Sequence, residues 1–248
     1  MTALGGKIAL VTGGAGGIGS AICRRLASAG ASVVVTYSKS RERAEALVES
    51  LPGSRHRAIC APVDDSAAQA DLARAVESAY GTLDILVNNA GITQPVPHAD
   101  LDALTDDLID TIFRVNVRGA LASVRALKPL LMKDGGGLIV NISSIAGRTA
   151  VGSNIAYCAS KAALDNLTMS LARALAPRVR VVSVSPGWVN GEYAQRMPPE
   201  LVERQAALTP LGRIAEAEEV AEAVYAAAAH LTFTTGAIIP VDGGRPLG

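Results

Sequence analysis

Lys7-Ile8-Ala9-Leu10-Val11-Thr12-Gly13-Gly14-Ala15-Gly16-Gly17-Ile18-Gly19 passes from an apolar run directly into a cluster of glycines, and Ile18–Ala29 behind it has the apolar spacing of a helix. An uninterrupted apolar run suits a parallel strand covered on both faces. Glycines at its end permit a tight turn and close approach of another backbone. A helix that starts there turns its unpaired N–H groups and positive dipole end toward whatever lies above the turn, and a pyrophosphate fits that environment. A plain strand-to-helix link can have the same composition. The added weight comes from its place on the first strand of a βαβ unit.

Outward from this turn, short β-branched runs alternate with longer alanine- and leucine-rich segments. Lys7–Thr12, Ser32–Tyr37, Leu83–Asn88, Leu138–Ile142 and Val179–Val184 are expected strands, with weaker ones at Arg57–Ala61 and Ala237–Val241. Ile18–Ala29, Arg41–Ser50, Ala67–Tyr80, Asp106–Met132, Ile155–Ala176 and Glu216–Ala229 are expected helices, and Gly30, Gly53 and Gly81 stand where three of them should stop. The alternation implies an α/β fold of Rossmann type, a doubly wound parallel sheet of about seven strands with helices on both faces. Residues 1–248 are expected to form a single domain. The irregular stretch Gly187–Gly212, with Met197, Pro198, Pro199 and Pro210, is expected to act as a substrate lid over the carboxyl edge of the sheet.

Composition narrows the partners. Among 248 residues, 23 Lys+Arg balance 23 Asp+Glu, which leaves no basic surplus for nucleic acid or an anionic membrane. No stretch reaches the length of apolar sequence that a membrane span requires, and Met1–Lys7 lacks the charged-then-apolar pattern of a secretory leader. Cys23, Cys60 and Cys158 are isolated and odd in number, and are expected as small buried thiols in a reducing, cytoplasmic setting. His56, His98 and His230 form no ligand pair, so no metal site is expected.

At the end of the second strand stands Thr36-Tyr37-Ser38-Lys39-Ser40-Arg41. A ribose 2′-OH usually meets a carboxylate here, whereas this segment offers hydroxyls and the cations Lys39 and Arg41. That chemistry favours NADP(H), with NAD(H) the alternative; the two cations also fit the solvated start of a helix. Further on, Tyr157-Cys158-Ala159-Ser160-Lys161 places Tyr157 and Lys161 on one helical face, one turn apart. A neighbouring ammonium favours the phenolate, which suits a general acid/base. Ser144, after Val140-Asn141-Ile142-Ser143, can hold a carbonyl oxygen or serve as a turn residue. Asn116 reads equally as a surface residue on an amphipathic helix.

Taken together and in order, Thr12-Gly13-x-x-x-Gly17-x-Gly19, Asn88-Asn89-Ala90-Gly91, Asn116, Ser144, Tyr157-x-x-x-Lys161, Pro186-Gly187 and the closing Thr235–Gly244 resemble the short-chain dehydrogenase/reductase family in its compact single-domain form. Within it the likeness is greatest to 3-oxoacyl-(acyl-carrier-protein) reductases. The resemblance implies Tyr157 as proton donor, Ser144 as the group that polarises the carbonyl, Lys161 as ribose ligand and pKa modifier, and Asn116 as the anchor of a proton-relaying water. It implies a cofactor held by Gly13, Gly14, Gly16, Gly17, Ile18, Gly19, Tyr37, Ser38, Lys39, Arg41, Val63, Asp64, Asn89, Ala90, Gly91, Tyr157, Lys161, Pro186, Gly187 and Val189. The substrate, a small carbonyl or alcohol, would meet Thr93, Gln94, Ser144, Trp188 and Tyr193. It also implies a homotetramer or homodimer.

The chain departs from that family at three places. Pro62 stands where an Asp often touches the adenine amine, with Asp64 as a substitute. Gly191 stands where a Thr usually meets the nicotinamide carboxamide or phosphates, and Val182 replaces an Asn. Substrate choice resides in Thr93–His98 and Asn190–Met197. A carrier-bound thioester would use a basic face such as Arg125, Lys128, Lys133, Arg173 and Arg178, which also fits an ordinary solvated surface. A sugar, polyol or small-alcohol dehydrogenase, a non-catalytic cofactor-binding protein and an epimerase or dehydratase are the competing readings. The intact Tyr157–Lys161 pair argues against the second, and chain length and the glycine spacing against the third.

Overall fold

The computed structural model describes residues 2–247. Seven parallel strands form one sheet: β1 (Ile8–Val11), β2 (Ser32–Tyr37), β3 (Arg57–Cys60), β4 (Ile85–Asn88), β5 (Gly137–Ile142), β6 (Val179–Pro186) and β7 (Ile238–Val241), in the spatial order β3-β2-β1-β4-β5-β6-β7. The order reverses between β1 and β4, and there the two halves of the sheet open a crevice at the carboxyl ends of the strands.

Alternation along the strands builds two cores. Ala9, Val11, Val33, Val35, Val87 and Val140 face one side and pack against α1 (Gly17–Ser28), α2 (Arg41–Ser50) and α10 (Ala217–Ala229). Ile8, Leu10, Val34, Leu86, Ile139 and Val181 face the other and meet α3 (Ser66–Tyr80), α5 (Ala120–Leu131) and α7 (Ile155–Leu175). Each strand therefore needs apolar residues at every position, and this accounts for the continuous runs in the sequence. The strands at the two edges, β3 and β7, are only partly buried, and their sequence signal is correspondingly weak.

The structure departs from the expected elements in four places. Asp106–Met132 is not one regular helix: α4 (Asp106–Phe113) and α5 are joined through a π-helical turn at Arg114–Gly119. Residues 187–212 are not irregular throughout, since they carry α8 (Glu192–Gln195) and α9 (Pro199–Ala207). Pro199 starts α9 because the first turn has no N–H to lose at that position. A short α6 (Ala146–Thr149) follows β5 unannounced. Cys60, at the end of the β3 edge strand, is exposed, while Cys23 and Cys158 are buried; all three thiols are free. No helix among the described residues is long and apolar enough to cross a membrane.

Candidate active site

The turn after β1 is held by its neighbours. Gly13 has φ of 60°, and a Cβ there would lie 3.1 Å from Ala90 Cα. A Cβ on Gly19 would lie 2.5 Å from Gly13 O. Thr12 Oγ1 accepts the N–H groups of Asn89 and Ala90 at 3.0 Å, and Asn89 Nδ2 donates to the carbonyls of Thr12 and Gly13 at 3.0 Å. The Asn89 amide thus braces the turn from β4. At the mouth of the turn the situation reverses: a Cβ on Gly17 would meet nothing within 4 Å, and Gly16 caps α1 with no side chain. The first N–H groups of α1 therefore face open space, as an anion at a helix start requires. A dinucleotide pyrophosphate fits this cradle.

That space is a cleft of about 1170 Å³ along the carboxyl edge of the sheet. Its first half is lined from β1, β2 and β3 by Gly13, Gly16, Gly17, Ile18, Gly19, Tyr37, Ser38, Lys39, Val63 and Asp64. Its second half is lined from β4, β5 and β6 by Asn89, Ala90, Gly91, Thr93, Ser144, Tyr157, Lys161, Pro186, Gly187, Trp188, Val189 and Tyr193. Four residues expected in contact with ligands stand outside this lining. Gly14 packs behind the turn, where a Cβ would lie 3.0 Å from Val35 Cγ1. Arg41 is exposed and bonded through Nε to Glu45 at 2.8 Å, one turn along α2. Gln94 contributes its carbonyl to Asn154 Nδ2 at 2.8 Å. Asn116 lies beneath the floor. Thr36, a further expected hydroxyl, is fully buried and its Oγ1 has no partner. Lys39 is therefore the cation that the second strand presents to the cleft.

Asn116 is 1% exposed, which excludes the surface reading. Its Oδ1 accepts the Ile92 N–H at 2.8 Å, and its Nδ2 donates to Ile92 O at 3.0 Å and to Ser160 Oγ at 3.1 Å. Both amide protons are committed, so in this structure Asn116 ties the loop after β4 to α7. The π turn supplies the wider spacing that lets this side chain leave its helix toward that loop.

At the reacting centre, α7 begins with Asn154 as cap, whose Oδ1 accepts the Tyr157 N–H at 2.7 Å. Tyr157 and Lys161 then share one face, with Lys161 Nζ 5.6 Å from the centre of the phenol ring. The ammonium donates to Ile142 O at 2.9 Å and is only 5% exposed. Burial pulls Lys161 down to about 8, and Asp165, one turn further, opposes that shift. Burial pushes Tyr157 up to about 12, with neighbouring Ser144 pulling the other way and Tyr193 adding to the rise. The phenol is thus protonated at neutral pH and can give its proton to an oxygen. Ser144 Oγ accepts the Ala146 N–H at 3.2 Å, and its hydroxyl adjoins the Tyr157 phenol, toward which it donates.

Sequence reading named Thr93 and Asp64 but missed the contacts around them, and it missed other contributors altogether. Thr93 and Ser153 bond side chain to side chain at the floor of the second half. Arg43 of α2 pairs with Glu192 of α8, which links two elements far apart in the chain. Asp64 lines the cleft, yet its carboxylate also lies 3.5 Å from Arg114. Asp165 Oδ1 accepts the Ser183 hydroxyl at 3.0 Å behind Lys161. Each of these pairs joins residues distant in sequence, and no local pattern announces them.

Comparison with known proteins agrees with this geometry. A family model described as enoyl-(acyl carrier protein) reductase matches residues 13–245. A protein designated ketoacyl reductase 2 of the granaticin polyketide synthase of Streptomyces violaceoruber is 40% identical over 245 residues, covering 97% of this chain and 96% of the relative. A 3-oxoacyl-(acyl-carrier-protein) reductase of Staphylococcus aureus is 36% identical, covering 96% and 97%. The cis-4-hydroxycyclohexanecarboxylate dehydrogenase of Sinomonas cyclohexanicum is 37% identical, covering 96% of each chain. Among solved structures, a double mutant of a Serratia marcescens short-chain dehydrogenase/reductase superposes with a TM-score of 0.89 at 38% identity over 98% of both chains. The glycine turn, the paired hydroxyls over a buried ammonium and these relatives agree: the chain belongs to the short-chain dehydrogenase/reductase family and is an oxidoreductase.

Proposed function

We propose that this protein interconverts a ketone and a secondary alcohol with NADP(H), the 3-oxoacyl group of a thioester, free or carrier-bound, being one carbonyl that this chemistry serves. The observation that carries this reading is the Ser144–Tyr157 hydroxyl pair, placed where a carbonyl oxygen needs a donor and backed by the Lys161 ammonium. When bound, the nicotinamide supplies or accepts the hydride. Ser144 fixes the carbonyl oxygen, and Tyr157 passes it a proton in the direction of reduction. Lys161 holds positive charge beneath the phenol and stabilises the phenolate left behind. Asn116 positions this group by tying the Gly91–Ile92 segment to α7. Reduction of a carbonyl is favoured over that of a conjugated alkene because Ser144 and Tyr157 set two hydroxyls side by side in the cleft, and an oxygen is what such donors hold.

Lys39 at the end of β2 supports the preference for a 2′-phosphate, with Ser38 beside it and no carboxylate in that position. Residues 187–212 act as the lid. We further propose a homo-oligomer, in the cytoplasmic setting that three free thiols suit. Fluorescence titration with NADPH and NADH tests the cofactor reading. NADPH should bind more tightly, and Lys39→Ala should weaken NADPH about tenfold, the loss of one charge-assisted contact, with NADH little changed. Tighter NADH binding, or equal effects on both cofactors, would overturn it. Tyr157→Phe should keep NADPH affinity and lower kcat about a thousandfold.

A further inference from the structure

The substrate half of the cleft has an aromatic wall that the chemistry of hydride transfer does not require. Trp188, the only tryptophan in the chain, follows Gly187 at the end of β6. Its ring centroid lies 5.7 Å from that of Tyr193 on α8, with the planes tilted by 57°. Both residues line the same cleft as Ser144 and Tyr157. The loop after β4 adds Val96 and Pro97 to the lining.

Charge is the second observation. No arginine lines the cleft, and Lys39 belongs to the half beyond β2. Lys161 Nζ lies beneath the Tyr157 ring with one of its three protons on Ile142 O, and His98 Nε2 is bonded to Gly152 O at 3.1 Å. Glu192, the carboxylate at this end, faces Arg43 and Arg196. A carboxylate or phosphate on the substrate would lose water here and gain no cation.

We propose that the substrate end selects an uncharged ketone borne on a planar fused ring, which lies against the Trp188–Tyr193 pair with its carbonyl at Ser144 and Tyr157. The assignment rests on the ketone reading above and narrows it. A flat ring gains the offset or edge-on contact that aromatic side chains favour; a linear chain of equal carbon number gains burial alone.

The single tryptophan makes the test direct. The protein saturated with NADP⁺ is titrated with 1-tetralone, with 2-decanone and with 4-oxocyclohexanecarboxylate, following Trp188 emission corrected for absorbance. 1-Tetralone should quench with a Kd roughly fivefold below that of 2-decanone, and the keto acid should bind more weakly than either. With NADPH, Trp188→Leu should raise KM for 1-tetralone about fivefold more than KM for 2-decanone, and Trp188→Phe should restore most of the difference. Equal binding of the ring and chain ketones, comparable binding of the keto acid, or an equal loss for both ketones in Trp188→Leu would overturn the assignment. Quenching by 1-tetralone without turnover of any ketone would instead sink the ketone reading and leave the ring site standing.

Discussion

Lys161 carries a charge into a place that water scarcely reaches. Its pKa of about 8, against an ordinary value of 10.5, means that the unfolded chain holds this proton over a range where the folded chain releases it. Below about pH 8 both states are charged and folding bears the full desolvation cost. Between about 8 and 10.5 the unfolded state binds more protons, so stability rises with pH and the cost disappears above that window. Lys161→Met should therefore raise the free energy of unfolding at pH 7 by on the order of 2 kcal/mol, after allowance for the lost bond to Ile142 O, while removing most activity. Urea unfolding at pH 7 and at pH 10 checks this: the gain should shrink at the higher pH. A variant no more stable than the parent at pH 7 would contradict it. The Tyr157–Lys161 pair was legible because its chemistry lies within one helical turn. Asp165 stands one turn beyond Lys161 on the same helix and was within equal reach; what no local pattern shows is the Ser183 hydroxyl of β6 that its carboxylate accepts.

At the scale of elements, the glycine turn separates two requirements that its sequence runs together. Gly19 faces the protein, where an added Cβ would press on Gly13 O, Asn89 Nδ2 and Gly14 Cα at 2.5, 2.7 and 2.9 Å. Gly17 faces the cleft and would meet nothing. Gly19→Ala should lose about 2–4 kcal/mol of stability, since backbone and not a flexible side chain must yield. Gly17→Ala should keep or slightly raise the melting temperature, because alanine is the better helix former, and yet weaken NADPH at least about tenfold by occupying the cradle. Thermal unfolding and fluorescence titration of both variants test the division; parallel losses in both would refute it. The strand, turn and helix could be read from their residues because each is a local pattern. The π turn at Arg114–Gly119 could not, since those residues continue the helical period of their neighbours. What sets the turn is the distant Ile92 backbone, to which the buried Asn116 amide is matched in both directions.

For the whole molecule, the alternation of apolar strands with helices carried the doubly wound sheet, because both faces of every central strand must be covered and the sequence says so residue by residue. The cleft followed from the reversal of strand order between β1 and β4, a property of topology that no single segment contains. The loops that shape it were beyond reach: Arg41 sits one helical turn from Glu45, but nothing local shows that Lys39, just ahead of α2, is left in the cleft. The outer surface offers a different kind of evidence. Phe233, after α10, is fully exposed, and Leu231 beside it is also open to solvent. Covering a phenylalanine side chain is worth about 1.5–3 kcal/mol, so a second copy of the chain that buried this corner would gain from it in each subunit. If the homo-oligomer forms through this corner, Phe233→Asp replaces that gain by the cost of desolvating a carboxylate, and the complex should dissociate at micromolar concentration while each fold stays intact. Light scattering on the eluting protein would then report an oligomer for the parent and the mass of one chain for the variant, with unchanged circular dichroism. A parent that elutes as one chain would dismiss the oligomer, and an oligomeric Phe233→Asp would move its interface to another face.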